Sequence, residues 1–400
     1  MRVLIISAAY PPANGGVATH VSNLSHELLK IDKKEGIVVN VITKSEKQKT
    51  HYPIQEGAKF QVFKLESDKT DSFSSRRAPF EKILKPIFDN WRQHSIRSDI
   101  IHTHDIDSTY MGLMLKVAFN IPLVMTVHRA PIDWKKNKHR ENPKDCFMEA
   151  LKNFKLVDKL IVPSHCSKEV LIQQGYDASS IKVIHHGINY SYLASFTNLP
   201  FLDQLLPQNQ KVEIILCPAR ADEHKDPETF IRAASILKEK IKDQKLFFIL
   251  TAKSTKMFKL EEFAKSLELQ VGKGKDILIE EFKRNEMPTL YRRAKACVIS
   301  SRRESFCQVV LESFLYKTPV VASNNTALKE LIEHEENGML FDTGSSNDLA
   351  TQVEKILNDN GIREHIIKGG EKSLNDKYNS EIMAKNYMSL YQEVIDESQK

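Results

Sequence analysis

Two cations in the second half of the chain have a spacing that suits the binding of an anion. Arg220 and Lys225 are five residues apart, in a segment between a predicted strand and a predicted helix. Arginine binds as a planar fork and lysine as a point charge, so the two are placed to bracket a diphosphate. Either residue taken alone is also common on a solvated surface.

Two glutamates further along the chain flank the start of a predicted helix that runs from Gln308 to Tyr316. Glu304 precedes the helix and Glu312 lies about a turn inside it, facing roughly the same way. The free N–H groups at the helix start can bind a phosphate between them. Glu304 is suited to sugar hydroxyls and Glu312 to a ribose, although each alone is more often a solvated glutamate. Their separation along the chain does not predict a hydrolytic acid/base pair.

Histidines end two predicted strands of the first half of the chain. His102, His104 and Asp105 follow one strand, and His128 follows the next. A histidine at the end of a parallel strand can donate to a substrate hydroxyl or phosphate. Alternation places His102 and His104 on one face of the strand, which makes a metal site with Asp105 an alternative. Because no further ligand is evident nearby in the sequence, we expect neither a metal nor another cofactor.

A glycine pair follows the first predicted strand. Gly15 and Gly16 come just before a helix that opens at about Val17. Glycines there let backbone N–H groups approach an anion at the positive end of the helix. The segment lacks the G-x-G-x-x-G spacing, which argues against an ordinary dinucleotide site. A simple turn is the alternative.

The elements that must position these residues are short β-branched runs alternating with longer amphipathic ones. This alternation predicts βαβ units, and therefore parallel sheets with helices on both faces. The pattern restarts once, so we expect an α/β protein with two doubly wound domains facing one ligand cleft. The predicted limits are 1–190 for the first domain, 191–210 for a linker, 211–380 for the second domain and 381–400 for a helix crossing back to the first.

Length and composition exclude several classes of protein. With 400 residues, 41% of them hydrophobic and 28% charged, the chain suits two or three domains and is neither disordered nor fibrous. Its apolar runs are far shorter than the roughly 18 residues that span a bilayer. Five cysteines without a C-x-x-C pair indicate a reducing compartment, the cytoplasm, and predict neither a disulfide framework nor a zinc site.

The positive charge is concentrated in the first half. The net charge of +6 is made up of +8 for residues 1–195 and −2 for the remainder. This balance favours an anionic partner, a phosphorylated substrate or a membrane surface rather than nucleic acid; a lysine-rich solvated surface is the alternative. Residues 79–97 combine apolar residues at helical spacing with flanking Lys and Arg. They predict either peripheral membrane association or a core helix kinked at Pro86.

Taken together, these residues resemble a retaining, nucleotide-sugar-dependent glycosyltransferase of the GT-B fold, in family 4. The resemblance covers nearly the whole chain, and it is specific as a set although each motif alone is weak. Its motifs are the Gly15-Gly16 pair, Thr126-Val127-His128, the run from Asp158 to Ser164, the Arg220 and Lys225 pair, Glu304 with Glu312 as E-x7-E, the run from Thr318 to Ser323 and the Asn337-Gly338 turn.

The resemblance implies two Rossmann-like domains and transfer of a sugar from a nucleotide-diphosphate donor, a UDP-sugar, to a hydroxyl acceptor. It implies retention at the anomeric carbon by front-face attack without a metal, in polysaccharide or glycolipid synthesis. The acceptor is expected to be lipid-linked or phosphorylated. The implied catalytic residues are His128, Arg220, Lys225 and Glu304, and the implied donor-binding residues are Gly15, Gly16, Arg220, Lys225, Glu304, Ser305, Phe306, Cys307 and Glu312.

Several positions depart from the family pattern. Ser305 and Cys307 stand where the family usually has glycines, and Asp226 stands where a glycine usually follows the lysine. The usual N-G-[VI]-D segment is here His186-Gly187-Ile188-Asn189. The architecture and these departures leave two alternatives open. One is a nucleotide-sugar 2-epimerase, and the other is a catalytically silent sugar-nucleotide-binding protein.

Overall fold

The computed structural model describes residues 1–11, 15–31, 36–45, 59–66, 98–128, 155–189, 200–207, 211–252 and 257–400. The chain forms two compact units: one consists of Met1–Gly187 with Ser380–Lys400, and the other of Ile188–Asn379. The basic segment 79–97 lies outside the described residues. No helix within the described ranges is long and apolar enough to cross a membrane.

A sheet of seven parallel strands is the centre of the first unit, as far as that unit is described. The strands are adjacent in the order β3-β2-β1-β4-β5-β6-β7. They are β1 (Arg2–Ser7), β2 (Val38–Ser45), β3 (Phe60–Glu66), β4 (Ile100–His104), β5 (Leu123–Thr126), β6 (Lys159–Val162) and β7 (Ile181–Val183). The helices of this unit are α1 (Gly16–Ile31), α2 (Asp105–Phe119), α3 (His165–Gln173) and, from the end of the chain, α11 (Ser380–Ser398).

Apolar layers cover both faces of this sheet. Alternate residues of β1 enter different cores: Val3 and Ile5 belong to one, and Leu4 and Ile6 to the other. This is the burial pattern expected of a central parallel strand, whose side chains point to opposite faces in turn.

Helix α11 belongs to the core of the first unit although it comes from the far end of the chain. The apolar stripe of α1, which includes Leu24 and Leu28, shares one core with Tyr387 and Tyr391 of α11. Both tyrosine side chains are fully buried. Tyr387 and Tyr391 therefore lie under the carboxyl ends of β4 and β5, where their hydroxyls contact polar residues of the candidate site.

The second unit repeats the architecture with six parallel strands in the order β10-β9-β8-β11-β12-β13. They are β8 (Val212–Cys217), β9 (Lys245–Leu250), β10 (Ile277–Ile279), β11 (Ala294–Ile299), β12 (Val320–Ser323) and β13 (Met339–Phe341). The helices are α4 (Pro227–Lys240), α5 (Met257–Ser266), α6 (Met287–Arg293), α7 (Gln308–Leu315), α8 (Leu328–Leu331), α9 (Ser346–Asn358) and α10 (Asn360–Ser373). A π-helical turn, Leu374–Tyr378, follows α10.

The two doubly wound parallel sheets confirm the predicted fold class. The segment expected to be a linker is only partly described. Its residues Pro200–Gln204 form a 3₁₀ helix. Leu202, Leu205 and Leu206 are buried in a core of the second unit, so residues 200–207 belong to that unit.

Candidate active site

A lysine–glutamate ion pair joins two loops at the carboxyl edge of the second unit's sheet. Lys225 lies in a short 3₁₀ helix, Glu223–Lys225, after β8, and Glu304 lies in the loop between β11 and α7. The Lys225 Nζ atom is 2.5 Å from the Glu304 Oε1 atom. Because β8 and β11 are neighbours in the sheet, two residues 79 positions apart in sequence come into contact.

The pair is largely enclosed and is supported by two serines. The side chain of Lys225 is 20% exposed and that of Glu304 12%. The Ser301 hydroxyl donates to the same Glu304 oxygen over 2.7 Å, and the Ser300 hydroxyl donates to the Lys225 carbonyl over 3.0 Å. Burial alone would lower the pKa of Lys225, but the Glu304 carboxylate more than offsets this and raises it. The ammonium is therefore fixed in place and charged at neutral pH.

Arg220 lies on the same loop as Lys225 but has a different partner. Its Nε atom is 3.0 Å from the Asp222 Oδ2 atom, and about half of its side chain is exposed (51%). One cation of the predicted pair is thus held by an enclosed carboxylate, and the other by a neighbouring surface carboxylate. That the two bracket a diphosphate stays a prediction.

Asp226 has a backbone conformation that favours glycine. Its φ angle is 47°, in the left-handed region, and it ends the 3₁₀ helix that carries Lys225. Its carboxylate accepts a hydrogen bond from the Thr229 hydroxyl over 2.8 Å and pairs with the Arg302 guanidinium at 2.9 Å. These contacts hold the turn in a conformation that glycine adopts without strain.

Glu312 lies inside α7, as predicted, and has its own partner. The Tyr291 hydroxyl donates to the Glu312 Oε2 atom over 2.7 Å. Burial raises the pKa of Glu312 above that of a free glutamate, although the tyrosine hydrogen bond opposes the shift. Tyr291 comes from α6 and was not among the predicted site residues.

The residues between Glu304 and α7 place a strained turn directly before the helix. Cys307 is the residue that precedes α7, with a φ angle of 109° and no side-chain hydrogen bond to the helix start. The side chains of Phe306 and Cys307 are buried in the core beneath. Ser305 lies between Glu304 and this buried pair in the sequence. The start of α7 therefore follows immediately after the loop that carries Glu304.

In the first unit, four histidines from different elements meet at the carboxyl edge of the sheet. His128 follows β5 and His104 ends β4; the His104 Nδ1 atom is 2.9 Å from the His128 Nε2 atom. His20 of α1 has its ring centroid 5.0 Å from that of His128, and the ring of His186 is 4.2 Å from that of His20. Together with His102, these residues are called the histidine cluster below.

Sequence reasoning predicted His128 and missed His20 and His186. A signal for His20 existed: it lies four residues before Leu24, so helical spacing puts it on the buried face of α1. His186 follows β7 in an irregular segment, where no periodicity marks a buried position.

His102 is fully engaged by hydrogen bonds. Its Nδ1 atom is 2.6 Å from the Tyr391 hydroxyl, and its Nε2 atom is 2.7 Å from the Thr126 hydroxyl. Burial lowers the pKa of His102 to about 3, so the ring is neutral. His102 therefore has no ring nitrogen available for the metal site that the sequence raised as an alternative.

Burial also governs the charge of the rest of the histidine cluster. It lowers the pKa of His20, His104 and His186 well below the ordinary value, and the neighbouring imidazoles add to the shift. These three rings are neutral at pH 7. Two of their nitrogens, His20 Nδ1 and His104 Nε2, are enclosed and have no hydrogen-bond partner among the described residues.

The glycine pair lies where the sequence predicts it, at the start of α1. Gly15 precedes the helix with a φ angle of 134°, and its carbonyl accepts a hydrogen bond from the Thr19 N–H over 3.1 Å. Gly16 is the first helical residue. The positive φ angle explains why glycine stands at position 15.

Two doubly wound units, each with polar side chains at its carboxyl edge, define the architecture of GT-B glycosyltransferases. Residues 14–192 match the family model described as Glycosyltransferase Family 4. Residues 201–373 match the model described as Glycosyl transferases group 1. The chain is thus a glycosyltransferase of GT-B architecture.

Individual proteins agree with this placement. The chain is 25% identical over 398 residues to an uncharacterized glycosyltransferase of Methanocaldococcus jannaschii, covering 98% of both chains. Sucrose-phosphate synthase from Thermosynechococcus elongatus has a similar structure, with a TM-score of 0.77, 20% identity and 99% of both chains covered. The Anabaena protein HepE in complex with UDP has a TM-score of 0.71 at 17% identity, over 98% of this chain and all of that one (100%).

Proposed function

We propose that this protein transfers a sugar from a UDP-sugar to a hydroxyl acceptor with retention at the anomeric carbon. The observation that carries the proposal is the Lys225–Glu304 ion pair on neighbouring strand-to-helix loops. It sets a fixed cation beside a carboxylate at the sheet edge where such folds bind ligands. The UDP complex of the structurally similar HepE supports a UDP-linked donor.

In this proposal the cations act on the leaving group. Lys225, Arg220 and the positive end of the α7 dipole stabilise the charge that develops on the diphosphate. Preorganised cations take the place that a metal ion has in other transferases, so the transfer itself is metal-independent. The departing diphosphate accepts the proton of the attacking hydroxyl, which adds to the same face that the nucleotide leaves.

The carboxylates and His128 orient the donor. Lys225 and Ser301 both contact Oε1 of Glu304, and we assign the other carboxylate oxygen to the hydroxyls of the transferred sugar. Glu312, held by Tyr291, accepts the ribose hydroxyls. His128 contacts the transferred sugar.

The remaining donor contacts come from backbone segments. Gly15 and Gly16 lie at the positive end of α1, and Ser305, Phe306 and Cys307 lie at that of α7. Helix starts of this kind favour anions because the helix dipole is positive there.

The test is a panel of nucleotide sugars incubated with the purified protein and analysed by mass spectrometry and proton NMR. Release of UDP, together with a glycoside that has the same anomeric configuration as the donor sugar, supports retaining transfer. An altered sugar still attached to UDP indicates a 2-epimerase, and a thermal shift without turnover indicates a binding protein; either would refute the proposal.

We further propose that the enzyme works in the cytoplasm, at the membrane surface, on a lipid-linked or phosphorylated acceptor in polysaccharide or glycolipid synthesis. The +8 charge of residues 1–195 and the basic apolar segment 79–97 support this. Co-sedimentation with vesicles containing anionic lipid tests it. Salt-sensitive binding that is lost when Lys82, Lys85 and Arg92 become Glu is expected, and no binding at low salt would refute membrane association.

A further inference from the structure

We propose that the first unit binds a divalent transition-metal ion, with Zn²⁺ as the best match, between the rings of His20, His104 and His128. This site goes beyond the proposed transfer activity and does not depend on it. One potential ligand nitrogen from each of these rings lies within 4.8 Å of the others. The three residues come from α1, the end of β4 and the segment after β5, so the fold itself brings them together.

The spacing is close to that of a metal-bound triad. Zinc binds histidine nitrogens at about 2.0–2.1 Å in a tetrahedral arrangement, which places the ligand nitrogens roughly 3.3–3.4 Å from one another. The His104 and His128 nitrogens are already 2.9 Å apart and share one proton between them. A metal ion at this point would bond to both of these nitrogens, and the proton between them would move to the other nitrogen of its own ring, so that both rings stay neutral. The His20 nitrogen, within 4.8 Å of the other two, has to move closer to complete the triad.

The burial of the three rings selects the size of the ligand. His20 is 0%, His104 1% and His128 7% exposed. A sugar or a phosphate group cannot contact His20 or His104, which are enclosed to this degree, without opening the core, whereas a single ion can. The enclosed His20 Nδ1 atom has no hydrogen-bond partner among the described residues, which is the state expected of a nitrogen that awaits a ligand.

The chemistry of the donor set selects the kind of ion. Three imidazole nitrogens without a carboxylate suit Zn²⁺, Co²⁺, Ni²⁺ or Cu²⁺, whereas Mg²⁺ and Ca²⁺ require oxygen ligands. Metal ligation requires neutral imidazole, and burial keeps the pKa of His20 and His104 well below the ordinary value.

The surroundings hold the triad in place. The Tyr387 hydroxyl is 3.4 Å from His20 Nε2, and the same hydroxyl is 3.1 Å from that of Thr126. The Ser108 hydroxyl donates to the His104 carbonyl. Contacts of this kind orient the ligands of known metal sites. Three histidines leave a fourth position for water or another oxygen, which is the pattern of open rather than structural zinc sites.

The experiment measures metal binding to the full-length protein after treatment with a chelator and dialysis. Co²⁺ is titrated in as a spectroscopic probe, Zn²⁺ displaces it, and the metal content of the gel-filtered protein is measured by plasma mass spectrometry. We expect one ion per chain, visible absorption bands of four-coordinate Co²⁺, and X-ray absorption at the zinc edge that shows imidazole nitrogens at about 2.0–2.1 Å.

Variants locate the ion. His20→Phe and His104→Phe should each weaken Zn²⁺ binding by roughly 100-fold or more, since even second-shell changes cost 10–100-fold. His102→Gln is the matched control, because His102 is as deeply buried but both of its ring nitrogens are already hydrogen-bonded. It should retain one ion per chain.

Substoichiometric Co²⁺ without four-coordinate bands would overturn the proposal, as would unchanged affinity in both folded His→Phe variants. If those variants do not fold, as judged by circular dichroism, the zinc-edge spectrum of the wild-type protein decides. A first shell of oxygen atoms only would refute the histidine site.

Discussion

Replacement of Lys225 by methionine separates the catalytic role of this residue from its structural role. Methionine keeps much of the apolar stem and removes the ammonium that lies 2.5 Å from Glu304 Oε1. If Lys225 stabilises the leaving diphosphate, its loss should lower kcat/KM by roughly 10²–10³, or about 2.7–4 kcal/mol, as for other preorganised groups that face a developing anion.

The same variant should also lose stability, because Glu304 remains enclosed without its cation. Breaking a fully buried ion pair costs about 3–5 kcal/mol. Here the two side chains are 20% and 12% exposed and the Ser301 hydroxyl still donates to Glu304, so we expect a smaller loss, about 1–3 kcal/mol. The double variant Lys225→Met/Glu304→Gln should regain much of this stability, since the stranded charge is gone, but none of the turnover.

The pH dependence of this loss has a defined sign. The pKa of Lys225 is raised, so the stability from the charged lysine is fully present below the ordinary lysine pKa and declines only as pH rises through the raised value. Urea unfolding of Lys225→Met and wild type should therefore differ by a constant amount between about pH 6 and 9.

Lys238→Met provides the control for charge removal. Lys238 pairs with Asp276 at 2.8 Å in the same unit, but Asp276 directly precedes β10, at the opposite edge of the sheet. Its kcat/KM, measured from UDP release, should stay within about twofold of wild type. A Lys225→Met enzyme within threefold of wild type would refute the assignment, and so would recovery of turnover in the double variant.

Four further outcomes are expected. Glu312→Gln should raise the donor KM more than it lowers kcat, because a ribose contact is equal in ground and transition states, whereas Glu304→Gln should lower kcat; identical steady-state changes would contradict the separate roles. Burial raises the pKa of Glu312, so the stability that this residue contributes is present below the unfolded value of 4.5 and is lost as pH rises through the folded value. Urea unfolding should therefore show Glu312→Gln gaining stability relative to wild type as pH rises above 4.5, and a constant difference would argue against a buried, proton-retaining carboxyl. Cys307→Gly should be more stable than Cys307→Ala by about 1 kcal/mol, because both lose the thiol but only glycine relaxes at a φ angle of 109°; equal denaturant midpoints would show that the turn is unstrained. A chelator should leave transfer unchanged while one equivalent of Zn²⁺ slows it in wild type but not in folded His20→Phe, since the ion and the sugar compete for His128; loss of activity with the chelator would contradict metal-independent transfer.

The fold could be predicted from the sequence because its signals are local. Alternation of β-branched and amphipathic runs reports burial of one strand or one helix face, and each run needs only its own residues to be recognised. The loops before α4 and α7 were located in the same way. The contact between the two loops could not be predicted in this way. Lys225 contacts Glu304 because β8 lies beside β11, and the spacing of residues in the sequence does not indicate the order of the strands.

The histidine cluster also depends on contacts between residues far apart in the sequence, and the sequence did not predict those contacts. His102 and His104 were visible as a pair on one face of a strand, which left a metal site there as an alternative. In the structure both ring nitrogens of His102 are hydrogen-bonded, to the Tyr391 and Thr126 hydroxyls. His104 instead contacts His128, which follows the neighbouring strand. The third histidine of the proposed metal site, His20, comes from α1, where the helical spacing of apolar residues indicates only that this position is buried.

The departures from the family pattern are informative about what the glycines supply. Asp226 and Cys307 stand at two positions where the family has glycine, and both have left-handed φ angles, 47° and 109°. Both turns therefore have a backbone conformation that glycine adopts most easily, without a glycine. At Asp226, contacts with Thr229 and Arg302 offset the strain, and at Cys307 the side chain is buried in the core below α7. This chain adopts the two turns with side chains directed into hydrogen bonds at Asp226 and into the core at Cys307.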